Sequence, residues 1–530
     1  MREPIKIAST KSHSPVPAFL ESPLKVRLVN SFRDPFKNVI ATARTCYSSK
    51  GIVETDNVSI EKHGSLAQSI YEAGHHTTLQ HAHFQFALEG VSRHAIWSFL
   101  HAHPFYNSEQ VSQRYVEVKR GSYVVPNFEN EHAQKLYESE MERITEDYKA
   151  LIGLLTPAVG DAFYDRFPHR RNKPGDYDKD IKKKAQEVAR YVLPVSTTAY
   201  MYHTISGITL LRYYRLAKML DTPTETYALV SQMVQELLKL DPNYKLVLEE
   251  PLEPSDYPEF ALLDAFKPNP TEFRREFDSD LDGRFARLVD YKAFAERTLA
   301  QSVREVFGLP MNDLSDEDAI RLVLDPSQNT ILGETMVLTT QTKLSRAMHN
   351  VHYTFQKKIS HAADSQDQRH RMTPASRPIL HRQLDPNKAD YITPLVVDYA
   401  SDETKERYHT SLERSWKSYK ELLDMGVRQE FAEYMLPNAT SIRFTESADL
   451  LSLHHKHAMR LCYNAQEEIW RASVDEADQI RDVHPLIGKY LLPPCSLRNM
   501  AHVRPICPEG IRYCGVKVWK IDLKEYERVI

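Results

Sequence analysis

The sequence is poor in residues and patterns that mark several classes of protein. It has 5 cysteines and 16 glycines among 530 residues. So few cysteines cannot form a disulfide framework, and scarce glycine argues against an all-β or fibrous chain. No apolar run approaches the roughly 20 residues that a membrane-spanning helix needs, and the first residues lack the apolar core of a signal peptide. We therefore expect a cytoplasmic protein with reduced thiols.

What is present is the composition of a large folded protein. The chain is 42% hydrophobic and 26% charged, and its net charge of −4 is small. Its length exceeds what one hydrophobic core organises and predicts about two to four domains. The weak net charge gives no long-range attraction to nucleic acid or to an anionic membrane, so neither is expected as a partner.

A pattern of strand and helix occurs twice along the chain. Segment 26–48 predicts a strand followed by a helix, and segment 286–308 repeats it, with Arg27 and Arg287 separated by 260 residues. Further pairs follow in order: Ser92-Arg93 with Ser345-Arg346, Gln113-Arg114 with Gln368-Arg369, and Leu193-Pro194 with Leu436-Pro437. Their separations are 253, 255 and 243 residues, as a duplication with small loop deletions would give. We therefore predict two diverged copies of one α/β unit.

The predicted domain boundaries follow from this repeat. We expect a loose N-terminal arm at 1–22, a first copy at 23–245, a proline-rich linker at 246–278, a second copy at 279–476 and a cysteine-containing extension at 477–530. Apolar spacing in the first copy predicts strands at 25–32 and 83–91 and helices at 38–47, 65–74, 131–155, 179–193, 209–220 and 224–240.

The segment Gly74–His81 carries three histidines and two threonines between a predicted helix and a predicted strand. Such a loop can present imidazole, hydroxyl and backbone donors to a ligand. A metal site is the rival interpretation, but no carboxylate or cysteine nearby completes a ligand set, so we predict no metal here. A solvated loop without a ligand also remains open.

A second polar segment contains Gln110, Ser112 and Arg114. A forked guanidinium suits a phosphate, and hydroxyl and amide groups suit the edges of a pyrimidine base. A surface strand with one unrelated arginine would give the same pattern, so this segment alone leaves both interpretations open.

These segments resemble motifs of the flavin-dependent thymidylate synthase family. The histidine-rich segment is similar to the family's G-H-x-S/T-x-x-E-H element, and the run Ser112-Gln113-Arg114-Tyr115 is similar to the S-x-R-Y that ends its R-H-R signature. Counting back from Ser112 places His103 on the histidine of R-H-R, although alanine and proline stand where its arginines belong. Arg190 falls on the arginine of A-R-x-x-L-P, which contacts the nucleotide in the family.

The second copy keeps different motifs. Arg460 falls on the late family arginine that binds and activates dUMP, and 465–469 reproduces A-Q-x-E-I. Arg369-His370-Arg371 spells R-H-R, but the register above pairs Arg369 with Arg114 instead. The counterpart of the histidine-rich segment, expected at Ser327–Glu334, has neither histidine.

Other family positions are lost. Ser206 and Ile208 in the first copy, and Asp449 and Leu451 in the second, replace a flavin-contacting N-x-R pair. Each copy therefore retains only part of a site, and the losses fall in different places. We hypothesise that the two copies together complete one shared site.

The resemblance implies two tandem copies of the family's α/β (α+β) fold, each a mixed sheet flanked by long helices. It implies reductive methylation of dUMP to dTMP, with FAD as cofactor and NADPH and methylenetetrahydrofolate as cosubstrates. Carried over by position, it assigns nucleotide binding to Gln110, Ser112, Arg114, Arg190 and Arg460, with Arg114 and Arg460 also catalytic, and cofactor contacts to His75, Thr77, Gln80 and His103.

Because family members are homotetramers, the resemblance also implies a homodimer of this duplicated chain. Two alternatives remain open at the level of the sequence. One is a degenerate relative that binds flavin or nucleotide without methyl transfer, and the other is a structural or interaction protein on the same scaffold.

Three cysteines and two histidines lie close together in the C-terminal extension. They are Cys495, Cys507, Cys514, His484 and His502. Three thiols and an imidazole can bind zinc, but the spacing is irregular and no C-x-x-C occurs. A proline-braced, strand-rich cap with incidental thiols is the other interpretation.

Overall fold

The computed structural model describes residues 24–173, 175–219 and 221–530, so the predicted arm at 1–22 lies outside the described residues. The first half consists of β1 (Lys25–Ser31), α1 (Pro35–Thr45), α2 (Ile60–Glu72), β2 (His83–Ser92), α3 (Arg93–His101), β3 (Tyr106–Gln110), α4 (Glu131–Arg166), α5 (Asp178–Ala189), β4 (Thr198–Ser206), α6 (Gly207–Leu216) and α7 (Pro223–Leu240). The helices α8 (Pro258–Ala265) and α9 (Pro270–Leu281) connect it to the second half.

The second half has the same order of sheet strands. It consists of β5 (Ala286–Tyr291), α10 (Ala295–Phe307), α11 (Asp316–Leu324), β6 (His352–Ser360), α12 (His361–Asp367), β7 (Ala375–Ser376), α13 (Leu395–Asp398), α14 (Asp402–Asp424), α15 (Gln429–Glu433), β8 (Ser441–Asp449), α16 (Leu450–Arg460), α17 (Glu467–Val483), α18 (Pro485–Gly488) and α19 (Pro494–Met500).

Each half builds a four-stranded sheet with helices packed against it. The strand orders are β1-β2-β4-β3 and β5-β6-β8-β7. This confirms the α/β class and the presence of two copies. The sheets, which we predicted to be mixed, have only antiparallel pairs among the described strands.

Strand pairing shows which residues of the two halves correspond. Ser92 at the end of β2 pairs with Thr198, and Ser360 at the end of β6 pairs with Ser441. Ser92 therefore corresponds to Ser360, and the predicted match of Ser92-Arg93 with Ser345-Arg346 is wrong. The latter two residues belong to the 3₁₀ turn Ser345–Asn350 that precedes β6.

That turn is also the counterpart of the histidine-rich segment, whose residues His76–His81 form the 3₁₀ turn before β2. The expected counterpart at Ser327–Glu334 is therefore wrong as well. Both predictions were wrong because the same Ser-Arg dipeptide occurs by chance in the two halves. The sequence alone does not show where the strands begin and end, so it could not reveal the mismatch.

A second anchor pair also changes partner. Ser108 in β3 pairs with His203, and Ala375 in β7 pairs with the corresponding residue Glu446. Counting along the chain from these positions aligns Arg114 with His381, so the predicted match of Gln113-Arg114 with Gln368-Arg369 is wrong. The same register places the intact Arg369-His370-Arg371 on residues 102–104 of the first half.

The two halves pack together along their long helices and at a pair of leucine-proline segments. Arg414 of α14 makes ion pairs of 2.5 Å with Glu140 and Asp147 of α4. Near Pro194 and Pro437, which form a β-bridge, the N–H of Val195 donates to Leu436 at 2.8 Å. These contacts place the corresponding segments of the two halves face to face.

Two buried glutamates tie the halves together in the same way on both sides. Glu225 accepts hydrogen bonds from the N–H (2.8 Å) and Oγ (2.6 Å) of Ser92, and from the hydroxyl of Tyr434 in the other half. Its counterpart Glu468 accepts from Ser360 and from the hydroxyl of Tyr191. Each half therefore completes a polar interaction in the other, as two subunits related by a two-fold axis would.

The second half buries a set of opposite charges that we call the lysine network. The amino groups of Lys357 and Lys456 are fully buried. Both lie within ion-pair distance of Asp367, Glu446 and Glu476. In the first half, Leu88 stands in place of Lys357, His203 in place of Glu446 and Tyr213 in place of Lys456. The duplicated cores have therefore diverged in chemistry as well as in their sites.

The segments outside the two sheets are more helical than predicted. The linker 246–278 contains α8 and most of α9, and α17 continues across the expected boundary at 476. The described residues after β8 form helices and 3₁₀ turns rather than a strand-rich cap. Among the described residues, no helix is both long and apolar enough to cross a membrane.

Candidate functional site

Arginines from both halves meet at one place between the two sheets. We call Arg93, Arg114, Arg190, Arg369 and Arg460 the arginine cluster. The first three come from α3, the loop after β3 and the end of α5, and the last two come from the loop after α12 and the end of α16. The predicted nucleotide-binding arginines Arg114, Arg190 and Arg460 are thus brought together although 346 residues separate the first from the last.

Two glutamines join these arginines across the boundary between the halves. Arg190 donates to Oε1 of Gln466. The side-chain amide of Gln366 is placed so that its oxygen faces the arginines and its nitrogen faces Gln466. The oxygen then accepts from Nη1 of Arg114 (3.1 Å) and of Arg460 (3.2 Å), and the nitrogen donates to Oε1 of Gln466 (2.9 Å). Neither glutamine was assigned a role from the sequence, although Gln466 belongs to the A-Q-x-E-I segment.

The arginine cluster carries more positive charge than its carboxylates balance. Glu187 pairs with Arg114, Glu109 pairs with Arg369 at 3.0 Å, and Asp367 lies 3.7 Å from Arg460. For the other two arginines, the described residues provide no ion pair. This imbalance is typical of a site that receives an anion.

Several guanidinium nitrogens also lack hydrogen-bond partners. The Nε atoms of Arg93, Arg190 and Arg460 are buried and have none among the described residues. Burial, followed by the charge of Arg190, lowers the pKa of Arg93 to about 9. Burial is also the largest cause that lowers the pKa of Arg460 to about 10, and Arg114 and Arg369 add to it. A bound phosphate would relieve both the missing hydrogen bonds and the mutual repulsion.

The predicted polar partners of Arg114 lie beside the cluster. The carbonyl oxygen of the Gln110 side chain accepts from Nη1 of Arg93 at 2.9 Å. Oγ of Ser112 accepts from the backbone N–H of Arg114 at 3.2 Å. All five predicted nucleotide-binding residues are therefore in or next to the arginine cluster, together with Arg93, which sequence reasoning did not assign.

A cavity of about 410 Å³ opens next to the cluster and is lined by both halves. Its walls are Gln85, Leu100, Tyr106, Asn107, Ser108, Glu109, Gln110, Tyr202 and Thr204 of the first half and Gln368, Arg369 and Arg371 of the second. This volume lies within the range of about 300–1,000 Å³ that is usual for small-molecule sites.

The cavity has the chemistry to hold part of a flavin. Tyr106 and Tyr202 provide aromatic surface, amides and hydroxyls provide donors and acceptors for a ring edge, and Arg369 and Arg371 can bind phosphate oxygens. The imidazole Nε2 of His370 is buried without a hydrogen-bond partner. The residues present therefore fit the cofactor that the sequence motifs imply.

The predicted cofactor residues of the histidine-rich segment lie near the same sheet. His75, Thr77 and Gln80 are exposed on and before the 3₁₀ turn that leads into β2, and Gln85 of the cavity wall follows five residues after Gln80. None of the described hydrogen bonds or ion pairs joins these three side chains to the arginine cluster. Their predicted contacts with a cofactor stay a prediction.

The fourth predicted cofactor residue is engaged elsewhere. Nε2 of His103 is 2.6 Å from the hydroxyl of Tyr213, and its Nδ1 accepts from the N–H of Phe105 at 2.9 Å. Both ring nitrogens are therefore occupied, and burial lowers the pKa of His103 to about 4. His370 of the second half, which occupies the corresponding position, is the histidine that lies by the arginine cluster.

A second cavity of about 560 Å³ lies where the two-fold relation would place a copy of the arginine cluster. Two of its residues stand at cluster positions, with His381 in place of Arg114 and Glu433 in place of Arg190, and Pro223 stands in place of Gln466. Alanine 217 replaces Arg460. We call this the mirror cavity. It has one arginine in its wall, Arg377, which pairs with Asp364 at 2.8 Å, and four carboxyl groups, so it is poorly suited to an anion.

The mirror cavity contains a glutamate whose protonation should affect stability. Both carboxylate oxygens of Glu430 accept from backbone N–H groups of Thr224 and Glu225 at 3.0–3.2 Å. Burial, which outweighs these hydrogen bonds, raises the pKa of Glu430 from 4.5 to about 7. The folded protein thus keeps a proton there over a range of pH in which the unfolded chain has lost it.

We therefore expect wild-type stability, relative to Glu430→Gln, to fall as the pH rises from about 4.5 to 7. The shift corresponds to a difference of at most about 3 kcal/mol in the free energy of unfolding. Denaturant unfolding of both proteins at pH 5 and pH 8 measures it, because the shared titrating groups cancel. Parallel pH dependences for the two proteins would contradict the raised pKa.

Comparison with known proteins identifies relatives of both halves. The family model described as Thymidylate synthase complementing protein matches residues 27–243 and 287–486. A protein named flavin-dependent thymidylate synthase from Clostridium tetani is 28% identical over 223 residues, which are 42% of this chain and 84% of the relative. One of the same name from Saccharolobus solfataricus is 31% identical over 152 residues, 28% of this chain and 57% of the relative.

Among solved structures, the UMP/dUMP methylase PolB from Streptomyces cacaoi aligns with a TM-score of 0.32 and 20% identity, over 43% of this chain and 96% of that chain. This likeness is too low to add to the assignment. The family match does not need it, because it covers most of both halves in the order that the sheets repeat. The chain therefore belongs to the thymidylate synthase complementing protein family, as a member with two tandem copies of the family domain.

Proposed function

We propose that this protein catalyses the reductive methylation of dUMP to dTMP at a single site that its two halves share. The observation that supports this most is the arginine cluster, in which complementary family motifs of the two copies lie side by side. The first half supplies Ser112, Arg114 and Arg190, and the second half supplies the R-H-R segment and Arg460.

The residues of the cluster would each have a definite task. Arg114 and Arg190 would bind the phosphate of dUMP, and their orientation is fixed by Glu187 and Gln466. Arg460 would stabilise the negative charge that develops on the uracil ring, because its Nε has no hydrogen-bond partner among the described residues and has only Asp367, 3.7 Å away, as a counter-charge. Charge stabilisation by groups already in place is usually the largest contribution to catalysis.

The adjacent cavity would hold FAD, with Arg369 and Arg371 on one side and β3 on the other. When bound, reduced flavin supplies the hydride, NADPH reduces the flavin and methylenetetrahydrofolate supplies the carbon. The protein would contribute binding and orientation, and the exclusion of water from the buried end of the cavity. No cysteine nucleophile is required, and the structure places no cysteine among the described cavity residues.

A second candidate function is binding of nucleotide or flavin without methyl transfer. The observation that favours it is the loss of the N-x-R pair in both halves, where Ser206 and Ile208, and Asp449 and Leu451, now stand. These residues begin α6 and α16, and Asp449 caps its helix through Ser452.

Rescue of a thymidine-requiring bacterial strain separates these functions. We expect the wild-type gene to support growth without thymidine, and the purified protein to release tritium from dUMP labelled at C5. A yellow protein that binds dUMP but gives neither result would support the second candidate. A colourless protein that binds neither flavin nor dUMP would contradict both.

The quaternary structure is also a proposal. The halves of one chain already pair as two subunits of a symmetric assembly would, so we propose that two chains associate into a homodimer that resembles a tetramer of family domains. We further propose that the protein acts in the cytoplasm. Light scattering of the purified protein measures the mass of the assembly directly.

A further inference from the structure

Four of the five cysteines of the chain meet at one small enclosed cavity. Cys462, Cys495, Cys507 and Cys514 all line a space of about 10 Å³. They come from three separate segments, namely the loop after α16, the start of α19 and the C-terminal tail. None of them forms a disulfide. The fifth cysteine, Cys46, is exposed in the first half.

This set differs from the one that the sequence suggested. The two histidines of the C-terminal extension, His484 and His502, are not among the residues that line the cavity. Nδ1 of His484 is hydrogen-bonded to the hydroxyl of Tyr353 at 3.1 Å, and His502 is exposed. Cys462 takes their place, although 33 residues separate it from Cys495. Four thiolates without imidazole form a common ligand set for structural zinc.

We propose that Cys462, Cys495, Cys507 and Cys514 bind one structural Zn²⁺ ion. The small, closed space suits a single ion rather than an iron–sulfur cluster, and soft thiolate ligands select zinc over magnesium or calcium. In the described part of the chain, no three metal-ligating side chains are already in a binding arrangement. Zinc binding therefore includes the turning of the thiols inward onto the ion.

Zinc binding would exchange four thiol protons for one divalent ion. Binding releases four protons and leaves a centre with a net charge of −2, as the loss of four thiol protons to a divalent ion requires. The positive charges of Arg498 near Cys507 and of Arg170 and Arg528 near Cys514 would partly offset this negative charge, whereas the carboxylate of Glu509 near Cys507 would add to it.

The site lies next to the arginine cluster and connects it to the C-terminal tail. Cys462 follows Arg460 by two residues, and the carbonyl of Asn464 accepts from Nη2 of Arg114 at 2.9 Å. The side chain of Asn464 donates to the carbonyl of Arg512 at 2.8 Å. Zinc would thus fix the loop that leads from Arg460 to Gln466. The proposal itself rests on the thiols and does not depend on the catalytic function.

Metal analysis of the full-length protein, purified without chelators under reducing conditions, tests the proposal. We expect about one zinc per chain in the wild type and less than a tenth of that in Cys507→Ser and Cys514→Ser. Cys46→Ser is the matched control and should keep its zinc. A Co²⁺-substituted wild type should show the absorption bands of tetrahedral thiolate coordination.

A measurement on the wild type alone covers the case in which the serine variants do not fold. In the native protein only Cys46 should react rapidly with a thiol reagent, and a chelator should release zinc and expose four more thiols. A wild type that contains no zinc and takes up neither Zn²⁺ nor Co²⁺ would overturn the proposal. So would iron with acid-labile sulfide, or loss of zinc from Cys46→Ser.

Discussion

Arg114→Ala and Arg460→Ala should each weaken dUMP binding by about 10- to 100-fold, although the two residues belong to different halves of the chain. Each substitution removes charged hydrogen bonds of about 1.5–3 kcal/mol, and about 1.4 kcal/mol corresponds to a factor of ten. Both arginines bond to the same Gln366 oxygen, so a nucleotide bound at this place would contact both. Isothermal titration with dUMP measures the loss in each variant.

The matched control for Arg114→Ala is His381→Ala, at the corresponding position of the mirror cavity. His381 pairs with Glu433 at 3.0 Å and has no described contact with the arginine cluster. We expect His381→Ala to leave dUMP affinity within about twofold of the wild type. If only one of the two arginine variants loses affinity, the halves do not share a site.

Lys456→Met should destabilise the folded protein by about 3–5 kcal/mol, the usual cost of leaving a buried charge without its partner. The fully buried amino group of Lys456 pairs with Glu446, with Glu476 at 3.2 Å and with Asp367 at 3.6 Å. Lys357 alone would then face three buried carboxylates. Denaturant unfolding at pH 7 measures the change in the free energy of unfolding.

Lys417→Met provides the control, since Lys417 is exposed and pairs with Glu421 within α14. Such surface pairs contribute about 0–1 kcal/mol, so we expect a small change. Equal effects of the two substitutions would show that the lysine network is not a buried, mutually dependent set of charges. Because Asp367 also lies by Arg460, Lys456→Met should in addition weaken dUMP binding.

Local structure was predictable where the apolar period was strong. The strand predicted at 83–91 is β2, His83–Ser92, and the helix predicted at 224–240 is α7, Pro223–Leu240. The strand β4, Thr198–Ser206, was missed because its exposed face carries tyrosines that blur the alternation. The helices of the linker were missed because prolines begin them, and proline at the first turn is compatible with a helix.

The candidate site was predictable in its residue types but not in its assembly. Family motifs in the sequence indicated Arg114, Arg190 and Arg460, and the idea of one shared site followed from their complementary losses. The role of Arg369-His370-Arg371 could not be read, because it depends on the register of β3 and β7. Strand pairing is a long-range property, and short dipeptide matches along the chain are a poor guide to it.

The buried charges were beyond the reach of the sequence for a related reason. Lys357 and Lys456 would be assigned to the surface from their residue type, because lysine is almost never fully buried unless it is paired. Their partners lie on β8, α12 and α17, and no local pattern indicates that these elements meet. The same holds for Cys462, which joins the other three thiols only in the folded chain.

The number of nucleotides that one chain binds tests the central claim most directly. Titration of the purified full-length protein with dUMP, with protein concentration fixed by amino-acid analysis, gives this number. A single shared site, with the mirror cavity unable to hold a phosphate, predicts one dUMP per chain. Two dUMP per chain would show that each half has its own site and would contradict the account.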